Sequence, residues 1–433
     1  MIRYFSHCCL VTCISTIVNI GIAEEWMQFR GPGNAGLSAD LNLPMSWNDT
    51  QNLRWKVDLP GPGSSSPIVT GNRIFVTCYS GYGVPKASGG SLQALERHLV
   101  CVDRNSGKVR WTKNVAGELP EDSFQGYISE HGYASNTPVT DGEHVYCFFG
   151  KSGVVAFDME GNQLWQVSVG KESSNRRWGS AASLVLYKNM VIVNASEESR
   201  SIIALDQRSG KQAWKAEGAA LELAYGTPSL VVSKEGRTDL VIAVPGEVWG
   251  LNPDTGKIQW YAEHQLTGNI CPSVISLADQ VFVFGGFRSA GSFALQVGGN
   301  GDVTKSNIAW SSRNSSYVAT PVLYEGHLYW ISDSGLAFCA DAKTGDLIYK
   351  ERVPEIKSGG RPVYASPVIA NGKIYVPTRW DGVLVLQAKP EFKVLAINRF
   401  NADDSDFNAT PSISNSQILL RSNQYLYCIA ETR

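Results

Sequence analysis

Arginine and aromatic residues gather in a few short, irregular stretches of this chain. Arg176, Arg177 and Trp178 stand in SNRRWGS, Tyr225 in LELAYG and Tyr317 in NSSYVA. Arg361 and Tyr364 stand in GGRPVYAS, and Trp380 in TRWDG. A guanidinium supplies directional donors and a ring supplies stacking area, so these residues suit the binding of a polar planar ligand or a peptide. No residue is assigned a catalytic role, because GxSxG, HExxH and a phosphate-binding glycine loop are all missing from the sequence. The histidines number six and are scattered; His98 and His131, in two long insertions, read as exposed loop residues rather than as a base or metal ligands. The stretch NADDSDFN (Asn401 to Asn408) carries the hard oxygens that calcium takes. It lacks a full ligand ladder and reads as a hydrated acidic loop.

These stretches need a scaffold, and the sequence writes one repeatedly. CVDRNSGKVRW, ALDQRSGKQAW and GLNPDTGKIQW are near-copies, each preceded by a segment such as SSPIVTGNRIFV or ASPVIANGKIYV. The aligned prolines are Pro67, Pro138, Pro228, Pro272, Pro321, Pro367 and Pro411, with Ser183 filling the missing place. After a first interval of 71 residues the spacings are 45, 45, 44, 49, 46 and 44, a fixed-period repeat of the propeller kind. Each unit reads as four short strands, A to D, rich in Val, Ile, Tyr and Phe and separated by glycine turns. Strand D ends in an aromatic: Trp111, Trp165, Trp214, Trp260, Trp310, then Tyr349, with Ile397 in the last place. These rings read as wedges between neighbouring blades. The final unit stops after three strands, and the missing fourth is the segment Leu53 to Leu59, with Trp55. The expected fold is all-β: an eight-bladed β-propeller of four-stranded antiparallel blades, closed by the N-terminal strand so that no open edge remains.

In such blades the D-to-A and B-to-C connections share one face. The arginine- and aromatic-bearing stretches fall there, as do two insertions, Tyr79 to His98 and Ala116 to Ser135. Insertions gathered on one face of a repeat mark the binding face. Because the A strands line the central channel, Arg176, Arg177, Trp178, Tyr225, Tyr317 and Tyr364 should converge near its mouth, with Trp380 on the same side.

The phrase LDxxTGKxxW and its period resemble the pyrroloquinoline-quinone (PQQ)-like β-propeller repeats, over almost all of the chain past its first 23 residues. The resemblance implies either a non-enzymatic scaffold of the BamB type or, as the alternative, a PQQ-dependent dehydrogenase using PQQ and calcium. WMQFRGPGNAGLS (Trp26 to Ser38) and ALQVGGNGDVTKSNIAW (Ala294 to Trp310) resemble a third branch, secreted bacterial PQQ-like proteins. The alcohol dehydrogenases of the family carry a disulfide between adjacent cysteines, and the one adjacent pair here, Cys8-Cys9, lies in the leader. A binding or assembly scaffold is therefore the expected function, with PQQ open as a ligand but not expected to be functional.

Residues 1–23 read as a secretory signal: Arg3, an apolar run from Cys8 to Ala23, and small residues at Gly21 and Ala23. Cleavage would leave Glu24 as the first residue, in the periplasm or outside the cell, with no membrane span. Six of the nine cysteines would remain. Cys101, Cys339 and Cys428 fall where sibling repeats carry Ala or Gly, so they read as small core residues. None is spaced as a metal ligand, so no metal site is expected. The net charge of −2, without like-charge runs, argues against nucleic acid as a partner. A monomer that binds a protein or a small polar ligand through the loop-rich face is expected.

Overall fold

The computed structural model describes residues 25–87 and 89–431; the leader at 1–23 and the cleavage point before Glu24 lie outside the described residues. Eight sheets stand around a central axis, each with four antiparallel strands in sequence order from the channel outward. The first blade runs Ile68–Thr70, Arg73–Ser80, Glu96–Asp103 and Val109–Ala116. The innermost strands are short and buried, and the outermost alternate between core and solvent. In the eighth blade Ser412–Ser414, Gln417–Arg421 and Tyr425–Ile429 are completed by Leu53–Asp58, which pairs antiparallel with Tyr425–Ile429. Among the described residues no helix is long and apolar enough to cross a membrane.

The repeated phrase has a mechanical meaning. The indole of one blade's outer strand lies on the turn glycine of the next blade and donates to a carbonyl of that turn. Trp55 Nε1 reaches Arg104 O at 2.9 Å, Trp165 reaches Gln207 O at 2.9 Å and Trp214 reaches Pro253 O at 3.0 Å. A Cβ on Gly107 would come within 2.6 Å of the Trp55 ring, and the φ of +70° there also favours glycine. Trp260 departs from the expected wedge. The blade after it lacks the turn; Gly301–Asp302 pairs instead with Trp260–Tyr261, and the indole donates back into its own blade, to Asp239 Oδ2 at 2.7 Å.

A second repeat circles the channel. In seven of the eight blades the backbone N–H that precedes the A strand donates to a hydroxyl one blade on, in a chain from Ser66 through Thr137, Ser183, Thr227, Ser273, Thr320 and Ser366 to Thr410. This corrects the proline alignment at two blades. Ser183 belongs to the hydroxyl ring, so Leu184 holds the proline's place; in the fifth blade Ser273 is the ring hydroxyl, so Val274 and not Pro272 holds it. The conserved geometry is that of the hydroxyl acceptor, which a neighbouring proline only accompanies. Between the last blade and the first, Ser412 Oγ donates to Pro67 O, and buried Arg421 donates to Ser65 Oγ (2.8 Å) and Thr77 O (2.6 Å).

The segment before the closing strand threads the channel. Trp26 bridges Val69 in the first blade, and Leu37–Ser38 pairs in parallel with Ile369–Ala370 in the seventh. Between them Arg30, 0% exposed, donates to five carbonyls: Asn34 and Ala35 of its own turn, Thr320 and Pro321 of the sixth blade and Pro367 of the seventh. Burial pulls its pKa down to about 9, so it remains charged at neutral pH with carbonyl dipoles as its counter-charge. A Cβ at Gly36 would fall 2.7 Å from the guanidinium, which is why RGPGNAG crowds glycine around one arginine.

The two insertions fold onto each other above the first two blades, where Tyr79, Leu95, Ile128 and Tyr133 form a small core. Here the reading of His98 and His131 as exposed is overturned. His98 is buried in the strand Glu96–Asp103, bonded to Ser80 Oγ (2.7 Å) and Asn114 Oδ1 (2.9 Å). His131 ends the short helix Ile128–His131 and faces the channel mouth. The acidic stretch is hydrated at Asn401, Ala402 and Asp404, while its other side chains are partly or fully packed. Asp403 accepts from Ser405 and Tyr427, and Asp406 from Arg379 and Trp380. All six cysteines of the described residues are free, five of them buried.

Candidate functional site

With Phe29 of the threaded segment as its floor, the channel is a dead-end funnel open on the D-to-A face. Its free space is ≈ 170 Å³, open to solvent and lined by rings together with small and hydroxyl-bearing residues. Tyr127 and Trp178 stand 4.3 Å apart between centroids, and Trp178 and Tyr225 are near-parallel at 6.0 Å. Tyr317 closes the circle, its hydroxyl 3.4 Å from that of Tyr127. Tyr364 continues the wall on the seventh-blade side.

Of the residues expected at the mouth, Trp178, Tyr225, Tyr317 and Tyr364 do line one space. Arg361 stacks on Tyr317 and Tyr127 at 4.9 and 5.2 Å, and Arg176 stands 5.7 Å from Trp178. Arg177 and Trp380 are not brought into the wall. Arg177 is 70% exposed and leans toward Asp122, 4.0 Å away. Trp380, on the same face, lies against Arg379 and donates to Asp406 Oδ1 at 2.9 Å. Sequence reasoning passed over Phe29, Tyr127 and Arg379. Tyr127 was visible as an aromatic inside an insertion, whereas nothing local marks Phe29 as a floor. Arg379 links the wall to the loops, with Glu130 at 2.5 Å, Asp406 at 2.8 Å and the Tyr364 ring at 4.9 Å.

The titratable groups here position the wall. His131 Nε2 donates to Trp178 O at 2.8 Å while Nδ1 faces Ser135 Oγ at 2.5 Å. Desolvation lowers its pKa, so the ring is neutral and acts as a strut. Burial pushes the Cys271 thiol up to about 12, the reverse of an activated nucleophile. Behind the wall, Glu197 Oε1 accepts from Ser174 Oγ (2.8 Å) and from Trp178 N–H (3.1 Å), and its Oε2 accepts from Tyr225 Oη (3.4 Å).

A model of the family described as outer membrane protein assembly factor BamB matches residues 98–351. The chain belongs to this family. No curated protein matches it. Among solved structures, BamB from Moraxella catarrhalis is 14% identical, with 87% of this chain and 99% of that chain covered and a TM-score of 0.60. The C-terminal WD40 domain of Sif2 is 13% identical, covers 87% and 97%, and scores 0.58. The computationally designed Ika8 protein is 12% identical, covers 86% and 98%, and scores 0.56. At these identities the likeness is one of fold, and the funnel's own residues must carry any functional reading.

The quinone and calcium of the family's dehydrogenase branch do not fit those residues. The free space of ≈ 170 Å³ compares with an apolar cavity of about 150 Å³ that holds a single benzene, so it takes one ring. Glu130 is engaged by Arg379, and Glu197 is turned toward the back of the wall. Among the described residues no three His, Cys, Asp or Glu side chains form a group able to hold a metal ion.

The cluster behind the wall makes a pH prediction. Glu197 and Glu198, on the short helix Ser196–Ser199, face Glu121, Asp122, Arg97 and Lys151, all nearly buried. Four carboxylates against two cations cannot all ionise without cost in a dry site. Glu198 Oε2 has no partner, and desolvation, then the neighbouring Glu197, raises its pKa to about 8. The folded state therefore keeps a proton that the unfolded chain has lost. Stability should fall as pH rises from 6.5 to 8, by up to about 1.4 kcal/mol per pH unit, and flatten above. Glu198→Gln should remove that slope and be the more stable protein at pH 8. Denaturant melts of both across this range decide the point, and parallel slopes would clear Glu198 of holding the proton.

Proposed function

We propose that this protein is a non-catalytic binding scaffold of the cell envelope, working outside the cytoplasm, whose partner docks on the face that bears the funnel. One observation carries the reading: the varied loops of eight blades converge on a ring-lined funnel whose far end is closed. A closed channel cannot conduct; both ring nitrogens of His131 are spent on Ser135 and Trp178, and the Cys271 thiol is held protonated. Membership of the family of the outer membrane protein assembly factor BamB supports the same class of role. The signal-like composition of residues 1–23 supports the compartment, and N-terminal analysis of protein from the native host should begin at Glu24.

Two tryptophan variants separate binding from folding. Trp178→Ala should weaken capture of the native envelope partner by about 1–3 kcal/mol, as loss of an interface anchor does, while melting as wild type. Trp214→Ala should do the reverse. Its indole is 7% exposed and wedged between blades, so truncation should cost about 3–5 kcal/mol of stability. Quantitative capture from envelope extracts, paired with denaturant melts, tests the contrast. Capture undiminished in Trp178→Ala would mean that the funnel is not the docking point, and tight PQQ binding with dye-linked alcohol oxidation would replace the reading by the dehydrogenase one.

A further inference from the structure

Resting on that reading, we infer that the funnel is a socket for one tyrosine side chain, presented by an acidic segment of a partner polypeptide. Three features converge on this occupant. Size is the first: ≈ 170 Å³ of free space, open to solvent, is about what one six-membered ring fills.

The second is a set of hydroxyl donors at depth. Thr227, Ser273, Thr320, Ser366 and Thr410 line the free space and are almost fully buried. Each accepts a backbone N–H at 2.9–3.0 Å from the preceding blade. Among the described residues none of the five donates its own proton to an acceptor. A buried hydroxyl that accepts but does not donate favours an occupant with an oxygen at its tip. A phenol has both the ring for the aromatic wall and the oxygen for these hydroxyls; a phenylalanine ring has only the first.

The third is charge at the rim. Arg176 and Arg288 are exposed, each stacked on a ring that belongs to or touches the wall: Arg176 on Trp178 at 5.7 Å, and Arg288 on Phe287 at 6.0 Å, itself 6.0 Å from Tyr317. Among the described residues neither has a carboxylate within salt-bridge distance, in contrast to Arg379. Aromatic rings and arginines at a rim are the side chains that dominate protein interfaces, and free guanidinium groups select carboxylates on the flanks of the inserted residue.

The full mature chain should be titrated by calorimetry with blocked pentapeptides: Asp-Glu-Tyr-Glu-Asp, the same with Phe or Ala at the centre, and Lys-Lys-Tyr-Lys-Lys. Free p-cresol is the small-molecule control. The acidic tyrosine peptide should bind, the phenylalanine peptide about tenfold more weakly, and the alanine and lysine peptides at least about a hundredfold more weakly. Arg176→Ala combined with Arg288→Ala should weaken the tyrosine peptide about tenfold and flatten its salt dependence, with the melting curve unchanged. Equal binding of the alanine or lysine peptide overturns the inference. So does the lack of saturable binding by the tyrosine peptide, or p-cresol binding as tightly as the peptide. If envelope capture depends on Trp178 while the acidic tyrosine peptide fails, the socket is wrong and the docking face stands; if capture ignores Trp178, the docking face itself is wrong.

Discussion

A chain that begins after Leu59 should not form a soluble monomer. Removing residues 24–59 deletes the outer strand of the eighth blade, whose register with Tyr425–Ile429 runs from Leu53 opposite Ile429 to Asp58 opposite Tyr425. The edge so exposed, Tyr-Leu-Tyr-Cys-Ile, is apolar and β-prone, the kind of edge that recruits other chains. The same deletion removes Trp55, which seals the joint to the first blade, and Trp26, Leu43 and Trp47, which belong to the core beneath it. Size-exclusion chromatography and thermal melts of the truncated protein decide the matter. A monomer with the wild-type melting curve would show that the eighth blade does not need its N-terminal strand.

Arg30→Ala should cost about 5 kcal/mol or more, from five buried carbonyls that each lose a charged donor worth at least about 1 kcal/mol. Effects of that size are diagnostic of a broken buried network. Arg30→Lys should recover less than half, since an ammonium offers three donors where a planar fork makes five bonds across two blades. Loss of the plug should also loosen Phe29, so the funnel variants and Arg30 are energetically coupled. Urea unfolding of the two variants tests this, and a loss below about 1 kcal/mol in Arg30→Ala would mean that the threaded segment contributes little.

Much of the site was already legible in the residues that precede the A strands. A fixed period places Trp178, Tyr225, Tyr317 and Tyr364 in the same connection of four blades, each a few residues ahead of its ring hydroxyl, and symmetry then carries them to one mouth. The same logic failed for Arg177 and Trp380, because period fixes where a backbone starts and not which way a long side chain turns in a loop. It failed by one residue at Ser183, a ring hydroxyl set in the proline's column, and by two at Pro272, where the proline was the more visible letter and the hydroxyl of Ser273 the one that bonds.

What the sequence by itself determined is the blade: strand alternation, glycine turns and docking tryptophans are local patterns, repeated at 44 to 49 residues past the first unit, so pairing within each unit leaves one architecture. What only the tertiary structure decided is the interior of the channel. The bonds that make it join Arg30 to Thr320 and Pro367, and Asn34 to Pro228, hundreds of residues apart in the chain. No period relates those positions. A segment without repeat partners of its own can only be placed by the space the other blades leave, and here that space turned a channel into a funnel with a floor.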